Sequence, residues 1–174
     1  MLKFFIKIVL ISFMFLIHVN AEPVKKITIL GNERVSKDTI ILFSEIDLYE
    51  NLSNNDLNNI VKKLYKTSFF KNVKVSLINT NLTITVVENP IIQNLKIDGV
   101  KSKELKKLII QNIDLKNSSS FNEFYVKKDL KVIENILQNL GYYFSKTETL
   151  ISDNNNKTID LTFLIDLGEK SYIS

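Results

Sequence analysis

The chain has 174 residues, 45% of them hydrophobic and 24% charged, and a formal net charge of +4. That length allows one ordinary domain or two small ones, and the composition is globular rather than disordered. Disulfides, thiolate metal sites and thiol catalysis are excluded because there is no cysteine, and the lysines lie scattered among acidic neighbours instead of forming a nucleic-acid-binding stripe.

The first segment reads as an export signal. Lys3 and Lys7 flank Phe4, Phe5 and Ile6, and an apolar run from Ile8 to Ile17 follows, broken by Ser12. Val19-Asn20-Ala21 supplies modest side chains before a cleavage point. This three-part plan predicts a signal peptide over residues 1–21, with Glu22 as the mature start. An uncleaved membrane anchor is the rival reading, although the run is short of the ~20 residues a span needs. The single histidine, His18, falls in this segment. The remaining chain lacks both His and Cys, the commonest general base and the best soft-metal ligands. Neither an enzyme, a metal site nor a cofactor is expected, and no small-molecule substrate or nucleic acid.

Val24 to Leu30 reads as a strand, with apolar Ile27 and Ile29, and Gly31-Asn32 turns the chain. Ser36 caps a short helix with Ile40, Ile41 and Phe43 on its apolar side. A polar loop leads to Ser53, which with Asp56 forms an acidic variant of the capping box. Leu57, Ile60, Val61, Leu64 and Tyr65 recur at helical spacing over residues 54–66. Val73, Val75 and Leu77 alternate with polar neighbours in a half-buried strand, and Asn79-Thr80-Asn81 turns it. Leu82, Ile84 and Val86 line a third strand, stopped at Asn89-Pro90.

The same order then recurs. Leu95-Lys96-Ile97-Asp98-Gly99 echoes Ile27 to Gly31. Ser102 opens a helix with Leu105, Leu108 and Ile109 on one side, and Asn117 to Ser120 is loop. Val126, Leu130, Ile133, Leu137 and Leu140 mark a long second helix, and Gly141 stands where a left-handed cap belongs. Tyr143 to Ile151 reads as a strand, Ser152 to Lys157 as a hairpin turn, and Thr158 to Leu167 as the closing strand. The expected architecture is α+β: two β-α-α-β-β modules, residues 22–90 and 91–169, each a three-stranded mixed sheet with two helices on one face. Residues 170–174 read as the start of a truncated third module.

Ile27 to Ser36 with Thr39-Ile40, Leu64 to Val75, Val86 to Ile91 and Leu140 to Tyr143 resemble the recurring stretches of POTRA (polypeptide-transport-associated) domains. With the export signal, their order is similar to the start of the BamA-type outer-membrane protein assembly factors. The resemblance covers essentially the whole mature chain. It implies a periplasmic scaffold at the outer membrane, with unfolded outer-membrane proteins and accessory assembly lipoproteins as partners. It also implies a C-terminal membrane barrel for which this chain has no residues. An alternative from a different class is an inner-membrane-anchored POTRA protein that serves as a docking site in cell division or secretion.

Sheet edges are the candidate sites. An edge strand displays unpaired backbone groups that an extended polypeptide satisfies by adding a strand. The resemblance makes the strand after the second helix that edge. It points to Val73, Lys74, Val75 and Ser76 in the first module and Lys146, Glu148 and Leu150 in the second. Lys74, Ser76, Lys146 and Glu148 are expected to face solvent, where they either tune the contact or only guard the edge against aggregation. Gly31, Asn32, Arg34, Ser36, Gly99 and Gly141 are expected to serve the backbone. For Arg34, a role in fixing the turn after the first strand competes with a binding role.

Overall fold

The computed structural model describes residues 22–170. The export signal over 1–21 and the reading of 171–174 as the opening of a further module lie outside the described residues. In chain order the elements are β1 (Glu22–Pro23), β2 (Lys26–Leu30), α1 (Lys37–Ser44), β3 (Asn51–Leu52), α2 (Asn54–Lys66), β4 (Phe70–Ile78), β5 (Asn81–Glu88), β6 (Ile91–Asp98), α3 (Lys103–Asn112), α4 (Glu123–Asn139), β7 (Lys146–Asp153) and β8 (Thr158–Asp166).

Two three-stranded sheets have the same topology, β2-β5-β4 and β6-β8-β7. In each, the first strand pairs parallel to the last, and the last pairs antiparallel to the one before it. The central strand is thus the last to be made, and β2 and β4 flank it in one sheet, β6 and β7 in the other. A small separate pairing joins β1 to β3. It was not legible as a strand, because two residues carry no periodicity.

Helix ends follow side-chain chemistry. The Ser36 hydroxyl accepts from the Thr39 N–H at 3.1 Å, and the Ser102 hydroxyl from the Leu105 N–H at 3.1 Å. The box at α2 is reciprocal: the Ser53 N–H donates to the Asp56 carboxylate at 2.8 Å, and the Asp56 N–H to the Ser53 hydroxyl at 3.4 Å. Such caps satisfy donors that the helix itself leaves orphaned. At the end of α4 the Gly141 N–H bonds the Gln138 carbonyl at 2.9 Å and the Tyr142 N–H bonds the Leu137 carbonyl at 2.9 Å. With Gly141 at φ +90°, this is a Schellman cap.

There are two cores. One gathers Ile29, Ile40, Ile60, Leu64, Leu82 and Ile84; the other gathers Ile92, Ile109, Ile133, Leu137, Leu161 and Phe163. No buried residue belongs to both. The alternation in β5 and β8 sends every second side chain under the helices, which is why each pattern reads so regularly.

Three local readings are corrected. Tyr143 lies outside the strand: β7 starts at Lys146, because Ser145 turns back to bond the Tyr142 carbonyl through its hydroxyl at 2.9 Å. Its other end runs to Asp153, past the expected Ile151. Asn81 belongs to β5 and pairs with Ile78, leaving Asn79 and Thr80 as a two-residue turn, both with positive φ. That twist suits a tight hairpin.

Candidate polypeptide-binding edges and the module junction

β4 and β7 each have a neighbour on one side only. Their side chains divide between two faces. Val73, Val75 and Leu77 share the helix-covered face with Val86, Ile84 and Leu82 of β5. Lys74 and Ser76 lie on the opposite face, beside Thr85 and Thr83; Lys74 is exposed and Ser76 half-buried. In the second sheet Lys146, Glu148 and Leu150 are exposed on the open face, beside Asp166, Leu164 and Thr162. The core face of β7 carries Thr147, Thr149 and Ile151, and Ile151 remains 51% exposed.

The two edges differ in their backbone as well. The Val73 N–H donates to the Tyr65 hydroxyl at 3.2 Å, so one outward donor of β4 is already satisfied by α2. By alternation Val75 and Leu77 also turn their N–H groups outward. Among the described residues, no side-chain or loop hydrogen bond reaches the outer backbone of Lys146 to Ser152.

The backbone residues gather around the turn that follows each first strand. Gly31 and Gly99 both have φ +78°. A Cβ on Gly31 would collide with the Val86 carbonyl, and one on Gly99 with the Ile165 carbonyl. Glycine is therefore required twice over, by conformation and by space. The match also puts Val86 and Ile165, and hence Glu88 and Leu167, at equivalent places.

Glu88 organises the first turn. Its Oε1 accepts N–H groups of Glu33 at 2.8 Å, Arg34 at 3.0 Å and Val35 at 3.0 Å. The Arg34 guanidinium pairs with Oε2 at 3.1 Å and donates to the Asn89 carbonyl at 2.8 Å. Asn32 donates from its side chain to the Val35 carbonyl at 3.0 Å. Arg34 is thus spent on the turn. Burial works to raise the Glu88 carboxyl, but the three N–H donors and the guanidinium outweigh it and hold it below the usual glutamate range.

Asn89 and Pro90 carry the chain across. The Asn89 side chain donates to the Ser68 carbonyl at 2.9 Å and its N–H to the Phe69 carbonyl at 2.8 Å. On the far side the Phe121 N–H donates to the Pro90 carbonyl at 2.8 Å. Lys157 of the second hairpin pairs with Glu33. A cavity at this junction is lined by Ser68, Phe69, Ile91, Leu115, Ser118 and Tyr125.

Sequence reasoning missed Glu88, Asn89 as a junction donor, and Asp129. Asp129 is fully buried and accepts the N–H groups of Asp114 at 2.7 Å and Leu115 at 2.9 Å. Its place on the apolar stripe of α4, between Val126 and Ile133, was the signal available. Burial raises its carboxyl, against the pull of those two N–H donors. No group of three or more His, Cys, Asp or Glu among the described residues is placed to hold a metal, and none of their helices is long and apolar enough to cross a membrane.

Residues 22–89 match the "POTRA domain, FtsQ-type" family, and residues 90–168 match the POTRA family described as "Surface antigen variable number repeat". The chain belongs to the POTRA family. Its curated relatives include the outer membrane protein assembly factor BamA of Buchnera aphidicola subsp. Acyrthosiphon pisum, 24% identical over the whole of this chain, and that of Neorickettsia risticii, 28% identical over 82% of it. The chain spans only 29% and 19% of those two proteins. Among solved structures, the N-terminal domain of Omp85 from Thermosynechococcus elongatus superposes with a TM-score of 0.56 at 11% identity, covering 82% of this chain and 62% of that one. POTRA1-2 of Omp85 from Anabaena gives 0.53 at 14% identity, over 86% of this chain and 97% of that one. At such identities the structural likeness speaks for the POTRA fold alone. These are BamA-type POTRA modules by sequence and POTRA modules by shape.

Proposed function

We propose that this chain is the periplasmic part of an outer-membrane protein assembly factor, exported and placed at the inner face of the outer membrane. The modules bind unfolded outer-membrane proteins by accepting them as an extra strand at β4 and β7, within domains spanning residues 22–90 and 91–169. The observation that carries this reading is the unoccupied outer backbone of β7. Main-chain pairing there is blind to most side-chain identities, which suits a receptor for many clients. Lys146 and Glu148 keep the edge from pairing with itself and admit a partner that brings its own alternation of polar and apolar residues. Accessory assembly lipoproteins are the second class of partner.

Photo-crosslinking in the periplasm tests the reading. A photoreactive residue at Glu148 is expected to capture unfolded outer-membrane proteins, and Thr149→Pro should abolish the adducts by removing an edge N–H and bending the strand. Adducts that persist in the proline variant at full yield, or none in a folded protein, reject it. The FtsQ-type match of residues 22–89 favours one other reading, an inner-membrane-anchored docking protein. N-terminal sequencing separates the two: Glu22 as first residue supports the exported scaffold, and an intact Met1 supports the anchor.

A further inference from the structure

The second helix of each module carries the same pattern near its end. Ile60 and Leu64 are buried in α2, and Ile133 and Leu137 are buried in α4, both pairs at a spacing of four. The residue after that leucine is Tyr65 in the first module and Gln138 in the second. The edge strands match as well. Val73 pairs with Val86 and Thr147 with Ile165, and the carbonyls of Val86 and Ile165 stand against Gly31 and Gly99. Val73 and Thr147 therefore hold equivalent places in the two ladders, and each turns its N–H away from its sheet.

The two N–H groups differ in what meets them. The Tyr65 hydroxyl accepts from Val73 at 3.2 Å. Gln138 instead donates back along its own helix, to the Glu134 carboxylate at 3.2 Å. No side-chain or loop hydrogen bond among the described residues reaches the Thr147 N–H. In a ladder, an N–H and its acceptor oxygen lie about 2.9 Å apart, so the Tyr65 hydroxyl sits where the carbonyl of an added strand would have to sit. One N–H does not serve both acceptors well. The Tyr65 side chain is not locked into the core, since the residue is 42% exposed. It borders a cavity at the module junction together with Phe70, Pro90 and Phe121, whose apolar surface receives the ring when the hydroxyl lets go.

We infer that Tyr65 is a latch on the β4 edge, and that Gln138, turned away at the equivalent place, leaves β7 as the edge that takes an extended polypeptide first. The inference rests on the proposed strand addition and names what regulates it. While the latch is shut, an incoming strand pairs with the outward groups of Val75 and Leu77 alone. It gains Val73 only by displacing the hydroxyl. At β7 the N–H groups of Thr147, Thr149 and Ile151 meet no such competitor among the described residues. Opening the latch exchanges one hydrogen bond for another, a cost small enough for a bound strand to override. The two modules thus share a binding mode and differ in the threshold at which they use it.

Residue-resolved amide hydrogen exchange tests the inference on the purified protein, alone and with a short synthetic peptide of alternating valine and threonine closed by lysines. Two variants are compared with the wild type: Tyr65→Phe removes the hydroxyl alone, and Tyr65→Gln installs the side chain that the second module uses. Without peptide, the Val73 amide should exchange about two- to tenfold faster in both variants, the worth of one hydrogen bond, with β7 unchanged. With peptide, the wild type should gain protection along β7 at lower peptide concentration than along β4. In the variants the concentration needed at β4 should fall by about two- to tenfold, and Val73 should join the protected amides, while the value for β7 stays the same. A Val73 amide that exchanges equally fast with and without the hydroxyl overturns the latch. So does a β4 affinity that is unchanged or weakened in both variants. In either case protection of β7 leaves strand addition standing. A peptide that protects neither strand in any of the three proteins rejects strand addition and the latch together.

Discussion

The two modules share a topology and differ in how firmly their edge strands are tied down. β4 presents Val73, Val75 and Leu77 to its core and has one outward N–H taken by Tyr65. β7 offers Thr147, Thr149 and a half-exposed Ile151, and no side-chain or loop hydrogen bond among the described residues reaches its outer backbone. The turn after the first strand shows the same contrast. Glu88 gathers three N–H groups and Arg34 in the first module, whereas Leu167 stands at the matching place in the second. There the Gly99 N–H turns to its neighbour's carboxylate, Asp98, at 2.8 Å. Conserving a fold needs only its core and its glycine; the margins are free to diverge, and at the margins function is proposed to reside.

The largest effects should fall where the modules are alike. Gly31→Ala and Gly99→Ala each force a Cβ into a carbonyl at positive φ, and each should cost roughly 2–4 kcal/mol in its own module. Urea denaturation followed by module-resolved NMR measures both; a mild cost at either site would break the equivalence. Next come the residues that set the modules apart. Glu88→Ala should cost roughly 2–3 kcal/mol by stranding N–H donors and Arg34. Asp129→Ala should cost about 1–3 kcal/mol in the second module for its two stranded donors.

Acid sharpens this contrast. Glu88 has a depressed folded pKa, so its contribution is complete above the unfolded value of about 4.3 and is lost as pH falls through the folded value below it. Asp129 has a raised folded pKa, so its proton-linked contribution is greatest below the unfolded value and fades as pH rises through the folded one. Stability curves of Glu88→Gln and Asp129→Asn against pH should therefore depart from the wild type in opposite directions. The smallest effect is expected at Lys157→Ala. Its ion pair with Glu33 is exposed and should be worth under about 1 kcal/mol, read as a small change in the denaturation midpoint.

Much of this was legible in the sequence for a physical reason. The core strands alternate and the helices carry caps, so Ser36, Ser53 and Ser102 announced helix starts, and the echo of Gly31 at Gly99 announced the repeat. What stayed hidden depends on partners far apart in the chain. Glu88 meets residues 33–35 only after β5 slides between β2 and β4, and no local spacing shows that. Tyr143 misled because an aromatic beside a run of alternating residues looks like strand, while the chain keeps turning from the Schellman cap at Gly141 until β7 starts at Lys146. The outward faces of Lys74, Lys146 and Glu148 were readable from alternation, but the difference between the two edges was not, since it hangs on one hydroxyl.

Amide hydrogen exchange, resolved by residue, tests the central claim most directly. The protein is compared alone and with an unfolded segment of an outer-membrane β-strand. Protection should rise at alternate amides of Lys146 to Ser152, rise less at Val75 and Leu77, and stay unchanged at Val73. Protection unaltered along β7, or gained only on the helices, would contradict the account.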